Sequence, residues 1–107
     1  MDAVMLNNYF RTLVNLFFKI LPIWESGEGS LVTYMQSLQA ELLGCRELID
    51  AIHDDPLFVS LIAILQYLID NPETETPVVK REVFRAISIC NKLKARYAVS
   101  ESGVSVS

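Results

Sequence analysis

Apolar residues recur along this chain at steps of three and four, and the recurrence breaks at three places. The first is Pro22 to Gly29 (PIWESGEG), where proline, two glycines and a serine fall together as they do in loops. The second is His53-Asp54-Asp55-Pro56, in which Asp55 can cap a new helix and Pro56 suits its first turn, having no N–H to lose. The third is Asn71 to Thr76, where Thr76-Pro77 repeats the same grammar.

Spacing residues about 100° apart around a helix axis gives each intervening segment a face. On the first, Asn8, Arg11, Thr12, Asn15 and Lys19 form a polar strip, and Met5, Leu6, Tyr9, Phe10, Leu13, Val14, Leu16, Phe17, Ile20 and Leu21 fill the rest. The second carries a narrow seam of Leu31, Met35, Leu38, Leu42, Cys45, Ile49 and Ile52. The third, Pro56 to Asp70, is apolar nearly all round, which predicts burial on several sides. The fourth, Pro77 to Tyr97, presents Val79, Val83, Ala86, Ile87, Cys90, Leu93 and Tyr97. No segment alternates with period two between turn signals, so no strand is predicted. The expected fold is all-α: a compact antiparallel four-helix bundle, up-down-up-down or a splayed variant of it, because short links join antiparallel neighbours. Residues 1–97 form the single helical domain. Residues 98–107 present no apolar face and are expected to be a flexible, disordered tail.

The first helix is apolar over more of its circumference than two neighbours in a small bundle cover, and Trp24 follows it. Leu16, Phe17, Phe18 and Trp24 are therefore a candidate oligomer surface, most simply that of a two-fold homodimer. The alternative is that they complete the core.

Composition narrows the class. With 107 residues, 51% apolar and 21% charged, the chain is one domain's worth of sequence and too apolar for intrinsic disorder. Val4 to Leu21 has the length of a membrane span but carries Arg11, Lys19, Asn7, Asn8 and Asn15. A charge at the bilayer centre costs about 2.5–3.5 kcal/mol. Leu57 to Ile69 falls short of the roughly 17–25 residues a span needs. Asp2 stands where a secretory signal is basic, and both cysteines lie on apolar faces. A cytoplasmic protein without membrane association is the expectation.

Charge is unevenly placed. Residues 78–97 hold six basic side chains against Glu82 alone, whereas residues 1–77 hold three basic and eleven acidic ones. Arg81, Arg85, Lys92 and Arg96 fall within an arc of about 60° on the last helix. They make a candidate face for an anionic partner, an acidic protein before nucleic acid. No aromatic residue is expected to interleave that stripe, and no helix-turn-helix grammar is evident. Acidic residues on neighbouring helices could instead neutralise it within the fold.

No catalytic, cofactor or metal site is predicted. Asp50, His53 and Asp54 have ligand chemistry, but the chain has one histidine, and the group reads as a helix end followed by an aspartate cap. Cys45 and Cys90 read as core filler. Gly27-Glu28-Gly29-Ser30 lacks the spacing and the lysine of a phosphate loop and reads as a flexible connector with Ser30 as the next cap. The function expected is a small protein-interaction or regulatory module acting by association, through self or an acidic protein. A nucleic-acid accessory role is the alternative.

Overall fold

The computed structural model describes residues 3–26, 30–71 and 73–106, with side chains from Val4 to Tyr97. Among the described residues it is all-α: α1 (Ala3–Phe18), α2 (Ile20–Ser26), α3 (Leu31–Leu48), α4 (Asp50–His53), α5 (Pro56–Asp70) and α6 (Thr76–Val106).

The first expected break is displaced. Residues 22–26 are helical, not loop, and the interruption falls at Lys19. Pro22 is the physical reason. It has no N–H to give the carbonyl four residues back, at Phe18, and its ring crowds that carbonyl. The chain bends there, and Ile23 N reaches Lys19 O only at 3.4 Å. The connector read at Gly27 to Gly29 lies outside the described residues.

The second expected helix ends early. Ile49 adopts extended backbone (φ −118°, ψ 103°), so the seam continues into α4 only after a break. Met35, Leu38, Leu42, Ile49 and Ile52 are nonetheless buried. Ser30 occupies the N-cap position of α3, but its hydroxyl makes no cap hydrogen bond. Asp55 does cap α5: its carboxylate accepts from Leu57 N at 2.9 Å, with Pro56 at the first position. At α6 the cap position moves back one residue, since Val79 N bonds Glu75 O at 3.1 Å. The Thr76 hydroxyl accepts instead from Trp24 Nε1 at 3.1 Å.

α6 packs on α1 along most of its length. Asn7 Nδ2 donates to Lys94 O at 2.8 Å, Phe18 meets Phe84, and Trp24 meets Thr76, so α1 and α2 run opposite to α6. α3 packs on α5 and α2 and reaches α1 through Tyr34, whose Oη donates to Leu16 O at 2.6 Å. α5 lies between α3 and α6: Gln39 reaches Gln66 Oε1 at 2.9 Å, and Arg96 reaches Asp55. The core is drawn from all of these elements. Phe10, Leu13 and Phe17 of α1, Leu42 of α3, Ile52 of α4, Phe58, Leu61 and Leu65 of α5 and Val83, Ala86, Cys90 and Leu93 of α6 belong to one buried cluster. Phe10 sits edge-on to Phe58 (6.3 Å) and stacked on Tyr97 (5.7 Å). Burying aliphatic and aromatic side chains of this size, at roughly 1.5–3 kcal/mol each, is the main term holding the helices together.

The helical backbone of α6 continues to Val106, where a disordered tail was expected from residue 98 onward. The side chains of that stretch lie outside the described residues.

Candidate interaction surface

The stripe Arg81, Arg85, Lys92 and Arg96 is on the outside of α6, yet most of its charge is engaged within the molecule. Arg96 is ion-paired to Asp55, whose carboxylate is almost fully buried at the start of α5. Glu82 is largely buried beside two arginines, 3.2 Å from Arg85 Nη1 and 3.7 Å from Arg81 Nη2. With Ser60 and Tyr67, Glu82 and Arg85 line a shallow groove between α5 and α6. Lys92 is exposed and has no ion-pair partner among the described residues. The four cations therefore do not act as one free patch. Internal neutralisation, the alternative reading of the stripe, accounts for Arg96 and in large part for Arg85.

The residues proposed for an oligomer surface separate in the same way. Phe17 is fully buried in the core and cannot meet a partner. Leu16 and Trp24 are half-buried against the core. Phe18 alone is open, 43% exposed.

Its neighbour is the finding that the sequence pattern did not anticipate. Phe84, on α6, is 50% exposed, and its ring lies edge-to-face against Phe18 with centroids 6.0 Å apart and planes at 81°. An aromatic does interleave the basic segment, contrary to expectation, between Arg81 and Arg85. Two phenyl rings in mutual contact on a solvent-facing seam are a contiguous apolar patch, which single surface hydrophobics are not. Lys19, at the bend after α1, and Lys80 and Arg81, in the turn before Phe84, are all exposed. Phe84 falls outside the apolar arc of its own helix, and that misfit was the available signal.

A second set of open apolar residues lies at the other end of α1. Met5 is 56% exposed and Leu48 is 85% exposed. α3 runs against α1, with Tyr34 at Leu16 and Tyr9 close to Cys45, so Leu48 falls at the level of the first turns of α1. Exposed Glu47, Asp50 and Asp54 surround that end of α3 and α4, while Arg46 is turned inward to donate to His53 O at 2.7 Å.

His53 Nδ1 is 3.2 Å from Asp54 Oδ1 and Asp50 is exposed on α4. No group of three potential metal ligands occurs among the described residues, and no helix there is long and apolar enough to cross a membrane. Cys90 is buried, and burial pushes its thiol up to about 12; Cys45 is half-buried. No family model, no curated protein and no solved structure matches this chain.

Proposed function

We propose that this chain is an association module. In this reading its four long helical stretches pack as an antiparallel bundle, and the Phe18–Phe84 face receives a protein surface that is both apolar and acidic. The observation that carries the reading is the pair of exposed rings in contact across two helices 66 positions apart in sequence. Aromatic anchors inside a rim of opposite charge are the features that give a small interface its energy and its choice of partner. Lys19, Lys80 and Arg81 supply that rim and select carboxylates.

The test uses three immobilised probes: a helical peptide with a leucine stripe flanked by glutamates, the same peptide with the leucines replaced by serine, and a single-stranded oligonucleotide. Retention by the first alone, lost in Phe18→Ser/Phe84→Ser, is the expected result. Retention by the oligonucleotide that falls steeply with salt and is lost in Lys92→Glu supports the nucleic-acid role instead. Retention by none of the three overturns the module reading.

A further inference from the structure

We infer that the partner of the Phe18–Phe84 face is an acidic amphipathic helix of another protein, lying lengthwise along the α1–α6 seam from the rings toward Arg11. The inference rests on the Phe18–Phe84 face being a docking surface, and it names the form, direction and charge spacing of the occupant. α1 and α6 are antiparallel, with Phe18 level with Phe84 and Asn7 level with Lys94. Arg11 stands seven positions before Phe18 and Lys80 four before Phe84. At about 1.5 Å per residue they lie about 10 Å and about 6 Å from the rings, on opposite sides of them. Arg11 is turned only about 20° from Phe18 around α1, and Lys80 about 40° from Phe84 around α6, so Lys80, the rings and Arg11 fall in line. Between the rings and Arg11 the exposed positions are Asn15 and Ser88, both short and uncharged.

No carboxylate interrupts that line. The described side chains of α1 include no aspartate or glutamate, and Glu82, the one on α6 between Thr76 and Tyr97, is turned to Arg81 and Arg85 beside α5. Lys80 has no ion-pair partner among the described residues, and Arg11 donates to the neutral Asn7 Oδ1 at 3.4 Å. The ends set the direction. Glu25 on α2 and Glu73 and Glu75 in the turn before α6 stand beyond Lys80 and repel an acidic chain running that way. Toward Arg11 the pair stays cationic as far as Lys94. The spacing sets the form. On a helix, residues four before and seven after a given position share its face, so glutamate, leucine and glutamate at that spacing meet Lys80, the rings and Arg11 together. An extended segment covers the same distances in about two and about three residues, whose side chains point to opposite faces.

The experiment measures binding of two labelled helical peptides to the full chain by fluorescence anisotropy at low salt. The first carries a leucine with glutamates four positions before and seven after it. The second has the same composition, with the glutamates two before and five after, on the far side of the helix. The first is expected to bind more tightly. Arg11→Gln and Lys80→Gln, their folding checked by circular dichroism, are each expected to weaken the first peptide about two- to fivefold and to leave the second unchanged. Phe18→Ser/Phe84→Ser is expected to abolish binding of both. Equal binding of the two peptides overturns the lengthwise placement and leaves the docking face standing, whereas binding of neither removes the face as well. A single-stranded oligonucleotide that displaces the first peptide overturns the occupant in favour of nucleic acid. A wild-type mass that rises with concentration in sedimentation equilibrium, and does not in Phe84→Ser, overturns it in favour of a second copy.

Discussion

Arg96 and Asp55, 41 positions apart in sequence, form an ion pair that ties the last helix to the first turn of α5. The Asp55 carboxylate is committed twice, one oxygen accepting from Leu57 N at 2.9 Å and the other meeting the guanidinium. An aspartate this deeply buried needs both partners, since an unpaired buried charge is costly.

Asp55→Ala therefore removes the helix cap and strands Arg96. The cap alone accounts for about 1 kcal/mol, and the expected total loss is about 2–3 kcal/mol. Arg96→Met leaves the cap in place, and the guanidinium is about half exposed, which discounts the attraction. Its expected cost is nevertheless real, because the buried Asp55 carboxylate then keeps only the backbone donor. Urea unfolding of the two variants and of the double mutant gives the coupling; additive losses refute a shared role for the pair.

Much of this fold was legible because helices declare themselves locally. The residues its spacing marked on α6 from Val79 to Leu93 are all buried, with Ile89 added to them, and Asp55-Pro56 starts α5 by the chemistry that predicted it. The break at Lys19 was misplaced because a proline disturbs the carbonyl four residues upstream, so its effect precedes it in the chain. Ile49 has no glycine or proline nearby to announce extended backbone, and nothing local could have marked it. The surface depended on tertiary pairing throughout. Whether Arg96 is free depends on Asp55, and whether Phe84 stands alone depends on Phe18, neither of which a single helix can reveal.

Tyr9 offers a gain in stability. Its hydroxyl is buried near Cys45 without a partner at hydrogen-bonding geometry among the described residues. A buried hydroxyl left unsatisfied costs roughly 1–3 kcal/mol, so Tyr9→Phe is expected to stabilise the protein by about 1 kcal/mol once the lost contacts are counted. Thermal unfolding monitored at the helix band checks it. A lower midpoint means that the hydroxyl is held by something it would miss.

Gly44 lies within α3, and a Cβ built there meets nothing within 4 Å. The position is an ordinary interior helical one, where alanine is favoured over glycine by about 0.5–1 kcal/mol. Gly44→Ala is expected to raise the unfolding midpoint without changing the denaturant slope. A lowered midpoint would mean that the added methyl meets something on that face of α3.

Stability is expected to fall on the alkaline side, and Cys90 fixes where the fall begins. Burial raises its thiol from 9.0 to about 12, so the folded chain holds that proton after the unfolded chain has released it. The stabilisation tied to the neutral thiol is complete below pH 9.0 and is lost as the pH climbs towards about 12. Tyr9 and Tyr34, both raised from 10.0 with burial the leading cause, add losses of the same sign at higher pH. Replacing Cys90 by alanine takes away the earliest of these steps and leaves the tyrosine ones. Under reducing conditions, urea midpoints for the wild type are expected to decline from about pH 9 upward, while Cys90→Ala, less stable at neutral pH because of the volume lost, holds level until the tyrosines titrate. Parallel curves for the two proteins across that interval count against a proton held on Cys90.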